Sequence, residues 1–364
     1  MSALRGSRWC GLTSSRWFGC RAGARRHAVG RRKRQSPPAC RRAAALQSGL
    51  GASRSTFGVA AVARCWRAAT ILFVLGIFAA AAPAPEHALV LQTDFGLKDG
   101  AVAAMRGIAV GVHARIAIHD LSHENTPFNV WEAAYRLKQA APFWPDGTVF
   151  VSVIDPGVGT PRNSVVLKTK SGHFFVGPDN GTLTLVAEDL GVEAVRAIDE
   201  SKHRRPGSER SYTFHGRDIF AFVGARLAAG VMTFDDVGPL LEPRVVALAY
   251  ERPRREGDVL IGTIPAIDFQ FGNVWTNLDD ALFAQLAPRI GERFRVTIAR
   301  AGKSVFAGEL PYARTFGEVR EGAPLLYVNS LMNVSFALNV GDFAKKHGIA
   351  SGADWSVRLE KIKP

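Results

Sequence analysis

The stretch VIDPGVGTPR, residues 153–162, places a carboxylate and a guanidinium at the two ends of a glycine-rich turn. Asp155 enters the turn and Arg162 leaves it, with two prolines and two glycines between them. A carboxylate can accept hydrogen bonds or a proton from a water molecule, and a neighbouring arginine keeps it ionised and fixes its geometry. A salt-bridged turn carboxylate without a catalytic role is the alternative interpretation.

Three further polar clusters occupy comparable places in the chain: TDFG at 93–96, PDNG at 178–181 and FHGRD at 214–218. The first two follow predicted strands, and the third precedes a predicted helix. In an open α/β sheet, ligands bind outside the carboxyl ends of the strands. A single Asp before a glycine is usually a turn or cap residue, but four clusters at one sheet edge predict a ligand site.

Standard nucleotide, esterase and zinc motifs are missing from these clusters. The sequence has no GxxxxGK[ST] phosphate loop, no GxGxxG after the first strand and no GxSxG elbow. His119, His123 and His215 do not belong to an HExxH motif. We therefore expect no metal and no cofactor.

Charge divides the chain into two unlike parts. Residues 1–70 contain 15 of the 46 Lys and Arg residues and no acidic residue, so residues 86–364 carry a net charge of about −1. All four cysteines also precede Glu86. The later part therefore has neither the charge of a nucleic-acid binder nor a disulfide or a Cys-ligated zinc.

Residues 1–85 form a basic, low-complexity extension whose last part resembles a secretory signal. Arg64 and Arg67 precede an apolar segment at 68–84 that ends in small residues and prolines. Its apolar run is shorter than the roughly 20 residues of a bilayer span, so contact with a membrane would need an uncleaved segment. Either residues 1–60 come from an upstream start or they are a basic extension. Export is expected if segment 64–85 works as a signal, and a cytoplasmic location if it does not.

Strands and helices alternate through residues 88–250. Apolar runs predict strands, and amphipathic spacing predicts helices at 99–112, 127–141, 181–190 and 218–229. The predicted strands are 88–92, 115–121, 148–155, 164–169, 173–177 and 192–198. This alternation predicts an α/β domain in which helices cover a mostly parallel sheet.

The pattern changes after the polar segment ERPRREGD at 251–258. Short predicted strands at 259–267, 293–299, 303–308 and 324–328 are separated by glycine-containing turns. We expect a smaller, β-rich, barrel-like second domain over residues 256–362.

The order and length of these motifs resemble the S-adenosyl-L-methionine (SAM) hydroxide adenosyltransferases, relatives of the SAM-dependent fluorinase and chlorinase. The resemblance spans about residues 88–350. Its motifs are TDFG, TPFNVWEAA (126–134), VIDPGVGTPR, GPDNG (177–181), TFHGRDIF (213–220), AIDFQFGNVWTN (266–277) and VNSLMNVSFALNVG (328–341).

The resemblance implies an activity and an assembly. Members of the hydrolytic branch use water or hydroxide to displace methionine from C5′ of SAM, which gives adenosine and methionine without a metal. The water is held by a trio that corresponds to Asp155, Arg162 and His215. The family assembles as a homotrimer with the ligand between neighbouring subunits.

Motif positions also assign substrate contacts. Asp94 corresponds to the carboxylate that binds the ribose hydroxyls, and Asn273 to a contact with the adenine edge. Asp268 corresponds to the partner of the methionine ammonium, and Ser330 to that of its carboxylate. Phe214 and Phe316 are expected around the purine or the sulfonium chain, with ordinary core packing as the alternative. Trp131 and Trp275 are assigned to packing.

The trio also separates the branches of the family. Halogenating relatives have an aromatic hydroxyl residue at position 155 and replace His215, and a carboxylate there would repel a halide. We therefore expect hydrolysis and not halogenation. Leu331 and Met332 depart from the family pattern, which leaves purine contacts from residues 331–339 open. The competing hypothesis is an exported protein that binds or senses a nucleoside without turnover.

Overall fold

The computed structural model describes residues 87–362. The predicted extension 1–85, with its signal-like segment, lies outside the described residues. Within residues 87–362, no helix is both long enough and apolar enough to cross a membrane.

A six-stranded sheet forms the centre of the N-terminal part, in the order β2-β1-β3-β5-β4-β6. Its strands are β1 (Leu89–Thr93), β2 (Ile118–Ser122), β3 (Val149–Val153), β4 (Ser164–Thr169), β5 (Phe174–Pro178) and β6 (Val192–Ala197). The first three strands and β5 run parallel, whereas β4 pairs antiparallel with both β5 and β6. This confirms the predicted α/β class with a mostly parallel sheet.

Helices cover both faces of this sheet. They are α1 (Ala101–Val112), α2 (Val130–Ala140), α3 (Thr184–Leu190), α4 (Glu200–His203) and α5 (Phe222–Ala228), with a π-helix at Gly216–Ala221 and short 3₁₀ turns at Ala141–Phe143 and Phe234–Val237. Successive side chains of a strand point to opposite faces. Leu89 therefore packs in the cluster that contains residues of α1 and α5, and Val90 in the cluster with residues of α2 and α3.

Two glycines let the last helical segment lie unusually close to the sheet. A Cβ atom at Gly224 would be 2.3 Å from the Val151 side chain. At Gly216, the first residue of the π-helix, a Cβ would be 3.2 Å from Phe95 and 3.3 Å from Val153. This close approach brings the start of the π-helix to the carboxyl ends of β1 and β3.

The C-terminal part consists of two antiparallel sheets, in the orders β13-β14-β10-β9 and β12-β11-β15-β8-β7. The strands are β7 (Arg254–Glu256), β8 (Val259–Ile264), β9 (Ala266–Ile267), β10 (Val274–Asp279), β11 (Arg293–Arg300), β12 (Lys303–Pro311), β13 (Pro324–Val328), β14 (Asn333–Leu338) and β15 (Gly352–Lys361). Short helices are α6 (Asp280–Ala284), α7 (Phe343–His347) and a 3₁₀ turn at Phe316–Glu318. Apolar side chains of both sheets form one buried cluster.

The β-rich class is confirmed, but the barrel-like closure is wrong. The hydrogen-bonded order of each sheet ends at a strand on both sides and does not close on itself. Short strands with glycine turns are common to barrels and to packed sheets, so the local pattern does not distinguish the two. The domain bounds 88–250 and 256–362 stay predictions.

Candidate active site

The Asp155 carboxylate lies just beyond the end of β3 and is held by Arg162. Arg162 Nε donates to Asp155 Oδ1 at 3.0 Å and to Oδ2 at 3.1 Å, and its Nη2 also donates to Oδ2. The two side chains are only 5% and 10% exposed. Arg162 Nη1 donates to Ser164 Oγ at 2.8 Å. A buried carboxylate is thus neutralised by a guanidinium that is itself fixed on two sides.

Behind this turn, the PDNG cluster has a supporting role. Asn180 Nδ2 donates to the carbonyl of Ile154 at 2.8 Å, and Asp179 Oδ1 accepts the backbone N–H of Val246 at 2.8 Å. Burial raises the pKa of Asp179, and the Val246 N–H lowers it. This cluster therefore fixes the backbone that precedes Asp155.

His215 comes to the same place from the start of the π-helix. Its Nδ1 lies 3.2 Å from Arg162 Nη2, and the residue is 5% exposed. The His215 pKa is below its ordinary value, mainly because the ring is buried. The charges of Arg162 and Arg204 lower the pKa further, whereas those of Glu200 and Asp155 raise it. The imidazole is therefore neutral at neutral pH. The structure thus brings the predicted trio together, with Arg162 between its other two members.

Asp94 follows the end of β1 in a turn fixed by His123. Thr93 Oγ1 lies 2.8 Å from His123 Nδ1, and His123 Nε2 lies 3.0 Å from Asp120 Oδ1. Burial, followed by the charge of Arg106, lowers the His123 pKa to about 4. His123 is therefore neutral at neutral pH and can accept a hydrogen bond from the Thr93 hydroxyl.

One oxygen of the Asp94 carboxylate is already occupied. Asp94 Oδ2 accepts the backbone N–H of Phe128 at 2.8 Å. Phe128 has a φ of 65°, an unusual value for a residue other than glycine, and its side chain is 71% exposed. The hydrogen bond to Asp94 therefore joins the TDFG turn to the segment that precedes α2.

A cavity of about 280 Å³ opens above these groups. Its walls include Asp94, Phe95, Phe128, Asp155, Phe214 and His215. Phe214 packs edge-on against Phe95, with 5.7 Å between ring centroids, and carries the Arg217 guanidinium over its face. Arg162 does not line this cavity and lies behind Asp155.

The remaining predicted residues line a second cavity, of about 780 Å³, in the C-terminal part. Its walls include Asp268, Asn273, Trp275, Phe316, Tyr327 and Ser330. Asn273 Nδ2 donates to Asp268 Oδ2 at 3.1 Å, and the Phe316 and Tyr327 rings lie 5.0 Å apart. The two cavities have no lining residue in common.

Trp275 packs against the cluster that contains Tyr135 and Ala266, as expected from the sequence, and it also lines the second cavity. Its place in the FGNVWTN motif was the signal that could have identified it. Leu331 packs with Trp131 and Tyr135, whereas Met332 is exposed and has a φ of 59°.

Sequence reasoning also missed Ser164, Glu200 and Arg204, which lie behind the trio. Ser164 Oγ donates to Glu200 Oε1 at 2.7 Å, and Arg204 Nη2 lies 3.3 Å from His215 Nε2. None of these three residues belongs to a motif that the sequence singled out. Among residues 87–362, no three His, Cys, Asp or Glu side chains are grouped as metal ligands. The expectation that no cofactor is needed stays a prediction.

Curated proteins with similar sequences include two that are named (R)-S-adenosyl-L-methionine hydrolase. The one from Salinispora tropica is 37% identical over 74% of this chain and 97% of its own length. The one from Methanocaldococcus jannaschii is 46% identical over 38% of this chain, and the match spans about half of that relative, 52%. A protein named fluorinase from Actinoplanes is 29% identical over 72% of this chain and 95% of its own length.

A solved structure and two family models agree with these relatives. The crystal structure of an uncharacterized conserved protein from Thermotoga maritima is 34% identical, covers 75% of this chain and all of its own, and superposes with a TM-score of 0.70. The model of the SAM hydroxide adenosyltransferase N-terminal domain matches residues 89–238. The model of the corresponding C-terminal domain matches residues 262–356. The chain therefore belongs to the SAM hydroxide adenosyltransferase family.

Proposed function

We propose that this protein hydrolyses SAM to adenosine and methionine by in-line attack of a water molecule on C5′. The observation that carries the proposal is the buried Asp155 carboxylate, which is paired with Arg162 behind it and lines one cavity together with Asp94 and His215. The names of the SAM hydrolase relatives support the same reaction. It is the activity that the resemblance implied.

The chemistry requires more of the nucleophile than of the leaving group. The water oxygen forms a bond to C5′ while the C5′–S bond breaks. The electron pair of the C5′–S bond goes to sulfur. Methionine leaves as a neutral thioether, so neither a general acid nor a metal is needed. The attacking water must lose a proton and be held in line with the sulfur. Two carboxylates line this cavity, and since Asp94 is proposed to bind the ribose, Asp155 is the group that accepts that proton.

Arg162 and His215 serve the water indirectly in this proposal. The guanidinium donates to both oxygens of Asp155 and fixes their direction. The neutral imidazole of His215 closes the other side of the cavity without adding a positive charge beside the sulfonium. This arrangement supports a single, oriented water.

The substrate contacts that we propose divide between the two cavities. In the first, Asp94 binds the ribose hydroxyls, because a carboxylate can accept two donors at once, and Phe214 packs beside the purine or the sulfonium chain. In the second, Asp268 binds the methionine ammonium, Ser330 its carboxylate and Asn273 the adenine edge, with Phe316 as an aromatic wall.

One substrate therefore requires both cavities, and we propose that a neighbouring copy supplies the second. Large apolar side chains are exposed beside each cavity: Phe128 at the first, and Phe271 and Val340, 65% and 77% exposed, at the second. Monomeric proteins rarely leave such groups clustered in solvent. These surfaces support the homotrimer with sites between subunits that the resemblance implies.

Asp155 also argues for water over a halide as the nucleophile. A halide ion about 4 Å from a carboxylate costs roughly 4 kcal/mol at an effective dielectric constant of about 20. The same carboxylate attracts a water molecule. We therefore propose hydrolysis and not halogenation for this member of the family.

The full chain should be incubated separately with each sulfonium epimer of SAM, and the products separated by chromatography. We expect adenosine and methionine in equal amounts, and oxygen-18 from labelled water at the 5′ position of adenosine. We also expect that a chelator leaves the rate unchanged. Absence of adenosine at any enzyme concentration, with tight adenosine binding, would instead establish a nucleoside-binding protein without turnover.

A further inference from the structure

Both ring nitrogens of His215 face an arginine. Nδ1 lies 3.2 Å from Arg162 Nη2, and Nε2 lies 3.3 Å from Arg204 Nη2. A guanidinium offers only donors. A neutral imidazole has one acceptor nitrogen and one N–H, so only one of the two contacts can be a hydrogen bond in either tautomer. A protonated His215 would direct an N–H at both guanidinium groups and lose both contacts.

Arg204 is held in this position from three sides. Its Nη2 donates to Glu200 Oε2 at 3.3 Å, its Nη1 donates to the carbonyl of Ser211 at 3.4 Å, and its guanidinium lies over the Tyr212 ring at 4.5 Å. The Arg204 side chain is 8% exposed. Its position is therefore fixed by packing as well as by charge.

These contacts close a ring behind the cavity. Arg162 donates to Ser164, Ser164 donates to Glu200, Glu200 accepts from Arg204, and both arginines contact the two nitrogens of His215. A displacement of Arg204 would therefore act on His215 by direct contact. It would also act on Arg162, which holds Asp155, through Glu200 and Ser164.

The charged groups around His215 act in opposite directions. Arg162 and Arg204 disfavour a proton on the imidazole, whereas Glu200 and Asp155 favour one; burial adds to the effect of the arginines and lowers the pKa. The other neighbours are the Tyr212 and Phe220 rings, each with its centroid 6.5 Å from that of His215. Arg204 is thus a cation whose removal should reverse part of the lowered pKa.

We propose that Arg204 is a positioning residue that keeps His215 neutral and fixed, so that Asp155 and not His215 takes the proton of the attacking water. The proposal rests on the hydrolysis proposed above. In this arrangement the lone pair of the imidazole already accepts from an arginine. It has no second acceptor nitrogen for the water, whereas the Asp155 carboxylate lines the cavity and has further lone pairs.

The direct test is a titration of the histidine rings by NMR in the full chain, with His215→Gln to assign the signal. Arg204→Gln removes the cation, and we expect the His215 pKa to rise. Glu200→Gln removes the opposing anion, and we expect the pKa to fall. Arg210→Gln, at an exposed position of the same segment, is the matched control and should leave the signal unchanged.

Opposite shifts distinguish electrostatic positioning from loosened structure, because loosening would expose the ring and raise the pKa in both variants. A rise in both, or no change in Arg204→Gln, would overturn the proposal. This readout needs no substrate. It therefore remains decisive if the protein proves not to hydrolyse SAM.

Kinetics give the second readout. We expect Arg204→Gln to lower kcat by roughly 10- to 100-fold, because small displacements of positioning groups have effects of this size. KM should change little, since Arg204 lines neither cavity. The acidic limb of the kcat profile should move to higher pH, and Arg204→Lys, which keeps the charge, should restore that limb. An unchanged profile in Arg204→Gln would contradict the proposed role.

Discussion

Arg162 donates from its Nε to both carboxylate oxygens of Asp155, at 3.0 and 3.1 Å. The same guanidinium donates from Nη1 to Ser164 and contacts His215 through Nη2. Only a planar fork with several donors can make these contacts at once, and a lysine ammonium cannot. The pair is therefore specific for arginine as well as for positive charge.

Arg162→Lys should lower kcat by roughly 10- to 100-fold although the charge is kept, because the carboxylate loses its fixed direction. Steady-state kinetics with SAM measure the effect. Arg196→Lys is the control, since Arg196 lies on β6, pairs with Asp235 and does not line either cavity. Equal kcat values for Arg162→Lys and the unchanged protein would show that charge alone is sufficient.

Asp155→Asn should lower kcat by roughly 10²- to 10⁴-fold, because the amide cannot take the proton of the water. Asp146→Asn is a matched control: Asp146 is exposed and precedes β3 at its opposite end. His215→Gln should cost less than Asp155→Asn if the carboxylate is the proton acceptor. A larger loss in His215→Gln would assign that role to the imidazole.

Asp94→Asn should weaken adenosine binding by roughly 10- to 100-fold, the effect of losing a hydrogen bond to a charged acceptor. Calorimetry with adenosine and 2′-deoxyadenosine tests which atoms are involved. The unchanged protein should discriminate strongly between the two ligands, and the variant only weakly. Equal discrimination in both would place the ribose elsewhere.

Mixed assemblies test whether one site uses two copies of the chain. Asp155→Asn damages the first cavity and Asp268→Asn the second, so each variant alone should be inactive. Refolded together in equal amounts, they should recover about a quarter of the sites if each site joins two subunits in a cyclic assembly. No recovery in mixtures that light scattering shows to be co-assembled would place both cavities of a site in one chain.

His123 predicts a loss of stability at acidic pH. Its pKa in the folded protein is about 4 and is below its ordinary value of 6.5, so the unfolded chain binds the proton more readily. The free energy of unfolding should therefore be highest above pH 6.5 and fall by on the order of 3 kcal/mol at most as the pH approaches 4.

Denaturant unfolding between pH 7 and pH 4.5 measures this contribution. His123→Gln should reduce the slope of stability against pH, because glutamine can still accept from Thr93 and donate to Asp120 but does not titrate. His113→Gln, at a half-buried position after α1, should retain the slope. A slope that His123→Gln leaves unchanged would assign the acid sensitivity to other groups.

The sequence was most informative where strands were buried on both faces. The run at 148–155 predicted β3 and placed Asp155 at its end. A continuous apolar, β-branched run indicates a strand buried on both faces, whatever the rest of the fold is. Strands Val274–Asp279, Asn333–Leu338 and Gly352–Lys361 were missed, since their alternating polar residues are similar to those of the turns around them.

Arg204 was beyond the reach of sequence patterns for another reason. It lies eleven positions before His215, and no local rule states how that segment folds back. The same limit applies to Glu200 and Ser164, whose contact joins α4 to β4. Motifs identified the residues that line the cavities. The residues behind them, Ser164, Glu200 and Arg204, were identified only from their contacts in the structure.

Gly216 has a consequence for protein engineering. Its neighbour His215 is a natural position for altering which nucleophile the cavity accepts, and libraries often randomise adjacent residues together. A methyl group at 216 would lie within 3.3 Å of the Phe95 and Val153 side chains, so a substitution there requires these side chains or the π-helix that carries residue 215 to shift. Redesign of the nucleophile should therefore vary position 215 while glycine is kept at 216.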